Sequence, residues 1–322
     1  MNCQFGVAVV LLNWNAAEQT CDCIDQLRKV KNIPIRILVV DNNSSDESVS
    51  LIREQYPDVD LIGNKENLGF AGGNNTAFRE ILFLNKKNLH RQEIIYRFVL
   101  LLNTDAGINE ESLQVLITTL EESDEVGVAG PIFVNINNTN EVLTAGGMDP
   151  SLHINTYRTA KQAREDLAKR KPFPVDYVSG TVALIRVSAI EKCGLFEEKY
   201  FFSCEMADLC FRMKQHGFSC LISPSAKAWH EMAMAGNNRE TLYLYYILRN
   251  RFLFIQRCKS KFIVLLYLRW ILICCLYFVR TLLRGKLQTA RAIIFALRDG
   301  LTGKYGCRNE LFIEKADNAK KK

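Results

Sequence analysis

Residues 7–15, VAVVLLNWN, decide the fold that we predict for this chain. Six consecutive apolar residues are followed at once by a polar group, and predominantly apolar runs end in the same way at 35–43 and at 98–105. Apolar runs without alternation are typical of strands covered on both faces, as in a parallel sheet. The polar groups that end the three runs are Asn13-Trp14-Asn15, Asp41-Asn42-Asn43 and Asn103-Thr104-Asp105.

Helical patterns lie between these runs. Residues 71–84 and 110–120 have helical periodicity, and a further short apolar run covers 59–62. Ser44 and Glu47 have the spacing of a capping box ahead of a third helix. Alternating strands and helices predict an α/β fold with a Rossmann-like open sheet, mostly parallel, over the first 130 or so residues.

The polar groups after the strands predict a binding site. In open α/β sheets, ligands bind beyond the carboxyl ends of the strands. One polar turn would be ordinary, because Asn and Asp favour turns. Three such turns, each directly after a buried strand, are expected to converge on one edge of the sheet.

The rest of the chain divides into two parts. Residues 135–174 are polar and predict a surface insertion, and the apolar pattern resumes at 177–187. From residue 238 the chain has a helical pattern to about residue 301. We therefore predict a catalytic α/β domain over 1–237 and a helical, membrane-associating region over 238–322.

Composition excludes several classes of protein. Hydrophobic residues make up 48% of the 322 residues and charged residues 24%, a globular balance that argues against a disordered chain or a small disulfide scaffold. The eleven cysteines form no pair of CxxC motifs, so a structural zinc site is not expected. The amino terminus lacks the features of a signal peptide, which predicts a cytoplasmic protein with reduced thiols.

Charge is distributed unevenly along the chain. Eleven of the 41 Lys and Arg residues lie in 249–298, where there is no Asp or Glu, so the remainder holds 30 basic against 35 acidic residues. Such asymmetry indicates an anionic partner for the basic part. Nucleic acid is not expected, since no recognised nucleic-acid-binding module accompanies the charge.

Residues 262–279, FIVLLYLRWILICCLYFV, are apolar apart from Arg269. A helix that lies in the membrane interface suits this length and the flanking basic residues. Two alternatives stay open, namely buried or oligomer-forming helices and a membrane span. A span requires about 20 apolar residues, and Arg near its centre is costly. We expect a peripheral protein on the inner face of the cell membrane, bound to an anionic membrane surface.

The segment 69–75, GFAGGNN, is a glycine-rich turn ahead of a helix. It matches neither GxGxxG nor a Walker loop. Glycine permits close approach of the backbone to a ligand, and amides at a helix start can face an anion. A tight turn with no ligand explains the glycines equally well.

Two further groups carry chemistry. Asp105 follows a strand, where a carboxylate can hold a divalent cation together with diphosphate oxygens, and His230 completes such a site if it lies nearby in space. Glu205 and Asp208 are three residues apart, so at a helix start they share a face and either can serve as a general base. Ordinary strand-end and helix-start acids are the alternative.

The order and spacing of these motifs resemble those of the inverting nucleotide-sugar glycosyltransferases of family 2, which have the GT-A fold. The resemblance extends from Val7 to about Gly306 and is strongest to the bacterial rhamnosyltransferase-like branch. The segments that carry it are VVLLNWN, VVDNNSSDES, ENLGFAGGNN, LLNTDA, VSGTVALIR, FFSCEMADLCFR, WHE, YYILRNRF and DGLTGKYG.

The resemblance implies roles for particular residues. Asp105 and His230 match a site for a divalent metal, Mg²⁺ or Mn²⁺, with Asn103 as a weaker ligand. Ser179 and Gly180 match a loop near the acceptor. Nucleotide and donor contacts are implied for Asn13, Asn15, Asp41, Asn42, Asn67, Gly69, Gly72, Gly73 and Asn74.

One position departs from the family pattern. The family has Glu-Asp-x-Asp where this chain has Glu205-Met206-Ala207-Asp208. The second acid is the expected base, and methionine cannot accept a proton. Three explanations remain open: Glu205 or Asp208 is the base, with Glu205 preferred; activity has been lost; or Met206 was introduced into an active ancestor.

The resemblance therefore implies an inverting glycosyltransferase of surface polysaccharide synthesis. The expected donor is a dTDP- or UDP-linked sugar, with L-rhamnose suggested by the branch, and the expected acceptor is a saccharide or a lipid-linked saccharide. A catalytically impaired homologue that binds a nucleotide sugar is the alternative that Met206 raises. A nucleotidyltransferase is a weaker alternative, because the amino terminus lacks a triphosphate-binding loop.

Overall fold

The computed structural model describes residues 5–91, 94–230, 237–258 and 261–312. The chain forms two compact units. The first unit is Met1–Glu198 with Glu205–Ala233, and the second unit is Lys199–Cys204 with Met234–Lys322. The predicted boundary between a catalytic domain and a membrane-associating region, at residues 237 and 238, stays a prediction. The division into compact units does not show what each unit does.

A mixed sheet forms the centre of the first unit, with helices along the chain between its strands. The strands are β1 (Phe5–Asn13), β2 (Ile35–Asp41), β3 (Asp60–Gly63), β4 (Ile95–Leu102), β5 (Ala106–Ile108), β6 (Val126–Asn135), β7 (Asn138–Gly147), β8 (Tyr157–Thr159), β9 (Phe173–Pro174), β10 (Val182–Arg186) and β11 (Ser219–His230). The helices of this unit are α1 (Ala17–Leu27), α2 (Ser48–Gln55), α3 (Gly69–Arg91), α4 (Glu110–Glu121), α5 (Arg164–Ala168), α6 (Val187–Cys193) and α7 (Glu205–Gln215).

The strand order is β3-β2-β1-β4-β10-β6-β11-β5. The pairs β1–β2, β1–β4, β2–β3 and β6–β11 are parallel, whereas β10 is antiparallel to both of its neighbours. Because Asn13 pairs with Asp41 and Asp41 with Gly63, the first three strands end at the same level. The predicted open, mostly parallel α/β sheet is confirmed along this central path.

Burial explains the unbroken apolar runs. Val9, Leu11 and Val39 have no exposed surface, and they pack in one cluster with Ile24 of α1 and Leu116 of α4. Fully burying a side chain of this size stabilises the fold by about 1.5–3 kcal/mol. The runs therefore hold the strands so that their polar ends are fixed in position.

One local expectation was wrong. The helix after β2 begins at Ser48, whose backbone N–H and hydroxyl both donate to Asp46, so Ser44 and Glu47 form no capping box. The polar segment 135–174, predicted as a surface insertion, contains strands, since β7 pairs with β6 and β9 pairs with β11. The sequence did not indicate β7, because its first four residues, 138–141, are all polar and exposed.

The described part of the second unit contains three α-helices and a short 3-10 helix at Asn309–Leu311, which confirms the helical pattern after residue 238. The α-helices are α8 (Asn237–Arg257), α9 (Ile263–Leu283) and α10 (Leu287–Thr302). Tyr245, Phe252, Trp270 and Ile293 belong to its apolar core. Among the described residues, α9 is the one helix long and apolar enough to cross a membrane by length and composition.

A buried polar pair ties the short segment 199–204 to this unit. The Arg249 guanidinium donates to the carbonyls of Tyr200 (3.0 Å) and Gly306 (2.7 Å). Asn250 Nδ2 donates to the carbonyls of Tyr200 and Phe202 at 2.9 and 2.7 Å. Neither Arg249 nor Asn250 is exposed, so these contacts satisfy the buried backbone of the segment.

Candidate active site

The ends of β1 and β2 are joined through buried polar side chains. Asn13 Nδ2 donates to Asp41 Oδ1 at 2.7 Å, and the Thr20 hydroxyl donates to Asn13 Oδ1 at 2.8 Å. Asp41 Oδ2 accepts the backbone N–H of Ser44 at 3.0 Å. Asn13 has no exposed surface and Asp41 is 3% exposed. These bonds orient the Asp41 carboxylate at the edge where the sequence predicts a nucleotide.

Ser44 belongs to the same edge, although sequence reasoning assigned it to a helix cap. Its hydroxyl oxygen accepts the Asn15 backbone N–H at 2.9 Å and Asn13 Nδ2 at 3.1 Å. Asn15 Oδ1 in turn accepts the Ser45 backbone N–H at 2.7 Å. Asn15 and Asn43 have φ angles of 51° and 63°, a conformation that Asn tolerates better than most residues.

Asn42 connects β2 to the glycine-rich turn. Its Nδ2 donates to Asn67 Oδ1 at 2.9 Å and to the Gly69 carbonyl at 3.1 Å. Its Oδ1 accepts from Asn64 Nδ2 at 3.1 Å and from the Leu68 backbone N–H at 3.0 Å. Both the nitrogen and the oxygen of the Asn42 side-chain amide are therefore hydrogen-bonded within the protein, and these four bonds fix the turn.

The glycines allow α3 to approach its neighbours closely. A Cβ on Gly73 would lie 2.4 Å from Leu12 Cδ1 of β1, and one on Gly72 would lie 2.7 Å from Leu68 Cβ. Gly69 has a φ of 69°, which favours glycine. Asn74 is buried and donates to the Phe70 carbonyl at 2.9 Å. Packing therefore explains Gly72 and Gly73, and their contact with a donor stays a prediction.

Three motifs meet at Gly180. A Cβ at this position would lie 3.3 Å from Phe70 Cζ of the glycine-rich turn and 3.7 Å from Met206 Cβ of α7. The neighbouring Thr181 carbonyl accepts the backbone N–H of Asn103 at 2.9 Å, and the Ser179 hydroxyl donates to Thr181 Oγ1 at 3.2 Å. The loop 179–181 therefore joins the end of β4 to the glycine-rich turn and to α7.

The structure brings Asp105 and His230 together. His230 Nε2 lies 3.1 Å from Asp105 Oδ1, because β11 pairs with β5 and sets His230 opposite Ala106. Each side chain is 28% exposed. Two neighbouring ligands of an octahedral cation with bonds of about 2.1 Å lie about 3 Å apart, so this separation fits a divalent metal. Within the described residues no third His, Cys, Asp or Glu joins them.

The two acids of α7 have opposite environments. Asp208 is 1% exposed, and its carboxylate accepts from Arg212 Nε at 2.8 Å in an ion pair. Glu205 is 7% exposed, and its Oε2 has no hydrogen-bond partner among the described residues. The pKa of Glu205 is raised to about 7, chiefly by burial; one backbone hydrogen bond lowers it, and the nearby Asp208 contributes to the rise.

A general base that acts near neutral pH requires a pKa of about this value. Glu205 therefore meets this requirement, whereas the carboxylate of Asp208 is paired with Arg212. Met206 is 3% exposed and its Cβ faces Gly180, so the residue that replaces the expected acid is part of the core of the site.

A family model described as "Glycosyltransferase like family 2" matches residues 4–253. The match covers every residue of the site built above. The chain belongs to this glycosyltransferase family.

Curated relatives of this glycosyltransferase include two named transferases. The low-salt glycan biosynthesis hexosyltransferase Agl10 of Haloferax volcanii is 26% identical over 314 residues, covering 93% of this chain and 92% of the relative. The N-acetylglucosaminyl-diphospho-decaprenol L-rhamnosyltransferase of Mycobacterium tuberculosis is 28% identical over 213 residues, covering 62% of this chain and 67% of the relative. These findings confirm the predicted family and the predicted enzyme class.

Solved structures confirm the GT-A fold. The mannosyltransferase PcManGT of Pyrobaculum calidifontis, in complex with GDP-Man and Mn²⁺, superposes with a TM-score of 0.56 at 15% identity, covering 92% of this chain and 87% of that chain. GalNAc-T7 with UDP, GalNAc and Mn²⁺ gives a TM-score of 0.57 at 14% identity and covers 76% of this chain. This glycosyltransferase spans about half of the GalNAc-T7 chain, 47% of its length.

A groove of about 520 Å³ lies between α1 and Asp105. Sequence reasoning did not find it, because its lining comes from α1, from the end of β4 and from β11. Its lining includes Gln19, Asp22, Gln26, Lys29 and Trp229. The aromatic side chain beside several amides and carboxylates was the available signal, but residues so far apart in sequence gave no reason to group them.

Proposed function

We propose that this glycosyltransferase transfers a sugar, with inversion, from a nucleoside-diphosphate donor to a hydroxyl of a saccharide or lipid-linked acceptor in surface polysaccharide synthesis. Glu205 carries the proposal, since it is a buried carboxylate with an unpartnered oxygen and a pKa raised to about 7. It stands beside Met206 and therefore supplies a base where the family's usual acid is missing.

The reaction is a single displacement. A Glu205 oxygen takes the proton of the acceptor hydroxyl while the acceptor oxygen forms a bond to the anomeric carbon. The bond from that carbon to the diphosphate oxygen breaks, and the nucleoside diphosphate leaves with the electron pair. Attack opposite the leaving group inverts the anomeric configuration.

The leaving diphosphate is expected to lie at Asp105 and His230. A divalent metal, Mg²⁺ or Mn²⁺, would be held by these two residues and would stabilise the charge that develops on the diphosphate. Their separation of 3.1 Å and their partial exposure fit that role. Asn103, whose backbone N–H bonds to Thr181, would keep the strand end in place beside them.

The nucleotide is expected at the ends of β1 and β2, beside the turn that Asp41 and Asn15 hold in place through their hydrogen bonds to Ser44 and Ser45. We propose a dTDP- or UDP-linked donor and L-rhamnose as its sugar. The name of the mycobacterial relative, an L-rhamnosyltransferase of a diphospho-decaprenol acceptor, supports the sugar and the lipid-linked acceptor. Such an acceptor agrees with a cytoplasmic enzyme bound to the inner face of the cell membrane.

The test is transfer with purified protein and Mn²⁺, using dTDP-L-rhamnose and UDP-sugars as donors and a polyprenyl-diphosphate saccharide as acceptor. We expect a glycoside of inverted configuration by NMR, and loss of its formation in Glu205→Gln. Product with retained configuration would contradict the mechanism.

A catalytically impaired homologue is the second candidate, and Met206 is the observation that favours it. It predicts donor binding by calorimetry without transfer to any acceptor. Activity that appears only in Met206→Asp would establish this alternative. Met206→Leu is the matched control, because it keeps the buried apolar volume and adds no acid.

A further inference from the structure

The outward face of α9 is apolar along its whole length. Its exposed side chains recur at spacings of three and four residues and so share one face of the helix. We call this face the α9 stripe, and its members are Val264 (69% exposed), Leu265 (64%), Leu268 (58%), Leu272 (59%), Leu276 (61%), Val279 (53%) and Leu283 (84%).

The opposite side of α9 is covered within its own unit. Leu266, Trp270, Ile273 and Cys274 are buried in the core of the second unit together with residues of α8 and α10. The helix is therefore packed on one side and open on the other. A soluble protein rarely leaves a contiguous apolar surface of this extent exposed, so the stripe marks a contact with a partner or a membrane.

The charged residues around the α9 stripe indicate what kind of partner it contacts. Arg269 and Arg280 border the stripe on one side, and Arg284 and Lys286 follow its carboxyl end. No Asp or Glu occurs between residues 249 and 298. An apolar face with a border of one positive sign is the arrangement of helices that lie in the interface of an anionic bilayer. A protein partner would be expected to leave some acidic side chains among the basic ones.

The packing of α9 favours a helix that lies in the membrane interface over one that spans the bilayer. The helix has 21 residues and is therefore about 31 Å long, barely the thickness of the hydrocarbon core. Its inner face is fixed against α8 and α10, which carry Arg249, Arg251 and the buried Asp299. Crossing would take these charged residues into the hydrocarbon as well, which a helix lying in the interface avoids.

We propose that the α9 stripe is a docking surface that inserts into the outer hydrocarbon layer of a bilayer rich in anionic phospholipid, with α9 parallel to the membrane plane. The inference deepens the proposed function by naming the surface through which the enzyme reaches a lipid-linked acceptor. Binding to vesicles is measured without catalysis, so failure of either proposal is visible independently of the other.

The experiment uses the full chain and sedimentation with vesicles of phosphatidylcholine alone or with phosphatidylglycerol. We expect preferential binding to the anionic vesicles that weakens as salt is raised. Leu272→Glu with Leu276→Glu should reduce binding by more than about tenfold, because two embedded apolar side chains are lost. Arg280→Gln with Arg284→Gln should reduce it by at least about tenfold, with a shallower salt dependence.

Leu152→Glu is the matched control, since Leu152 is 51% exposed but lies in the first unit. It should leave vesicle binding unchanged. Thermal melts of all variants verify folding, which the exposed positions should preserve.

Three results would overturn the proposal. One is binding that the stripe variants leave unchanged. Another is a dimer, seen in sedimentation velocity without lipid, that the Leu272 and Leu276 variants dissociate, because the stripe would then contact a second copy. The third is retention in carbonate-washed vesicles with protease access from both sides, which identifies a span.

Discussion

Three polar residues at the ends of β1 and β2 and the acid that begins α7 are all buried, but they differ in their hydrogen bonding. Asn13, Asp41 and Asn42 are at most 3% exposed, and each bonds to at least two neighbours. Glu205 is 7% exposed, and one of its oxygens bonds to none of the described residues.

Buried polar atoms almost always have partners, so the exception calls for an explanation. A saturated network keeps a fixed geometry and does little else. An unpartnered buried carboxylate is costly to the fold and retains its ability to accept a proton. The comparison supports the proposal that the strand ends position the site and that Glu205 of α7 takes the proton.

Replacing Glu205 should have the largest effect. Glu205→Gln keeps the shape of the side chain but removes the base, and general base catalysis contributes about 10²–10⁴-fold. We expect kcat to fall within that range while KM for the donor changes little. The measurement is steady-state transfer, with Asp208→Asn as control. An equal loss of kcat in the control would assign the base to Asp208 instead.

Replacing Asp105 should have the second largest effect on activity. Asp105→Asn weakens a ligand of the proposed metal, and we expect a loss of about 10²-fold in kcat/KM together with a higher Mn²⁺ requirement. Mn²⁺ titration of the rate measures both. Asp22→Asn is the matched control, because Asp22 lines the same groove but lies on α1. A rate in Asp105→Asn that equals the control would refute the metal assignment.

The pKa of Glu205 links pH to rate and to stability with opposite signs. The carboxylate form is the base, so kcat should rise with pH and reach half its maximum near pH 7. The folded protein binds this proton more tightly than the unfolded chain does. Stability from this group is therefore complete below about pH 4.5 and is lost as pH rises through about 7, by about 3 kcal/mol in total.

Chemical denaturation of wild type and Glu205→Gln at pH 5 and pH 8 measures this loss. The variant should be relatively more stable at pH 8, and most of the difference should disappear at pH 5. A difference that is the same at both pH values would mean that Glu205 titrates normally in the folded protein.

Substitutions at the strand ends should lower the stability of the fold more than they lower the rate of catalysis. Asn42→Ala removes four hydrogen bonds and leaves buried partners unsatisfied, so we expect a loss of about 2–4 kcal/mol in the free energy of unfolding. Urea unfolding measures it, and the exposed Asn155→Ala should change the value little. If Asn42→Ala instead lowers donor affinity at full stability, the amide contacts the ligand and the positioning role is wrong.

Sequence patterns predicted what depends on local burial. The apolar runs identified β1, β2 and β4, and the polar residues after them lie at the ends of these strands. Contacts between distant residues were not predictable. His230 reaches Asp105 across 125 positions only because β11 pairs with β5. The choice between Glu205 and Asp208 likewise depended on Arg212, whose spacing of four from Asp208 permits an ion pair but does not establish one.

Ser44 should give the smallest effect and the most direct test of how the β2 end is built. Ser44→Ala removes the hydroxyl that accepts from Asn15 and Asn13, and we expect a loss of about 1 kcal/mol in unfolding free energy, seen in urea melts. Glu47→Ala separates the two interpretations of this segment. In a capping box Glu47 would bond back to the Ser44 N–H, so both substitutions would cost about the same. In the structure Asp41 accepts that N–H and Glu47 is exposed, so Glu47→Ala should cost almost nothing. Equal losses in the two variants would restore the capping box and remove Ser44 from the site.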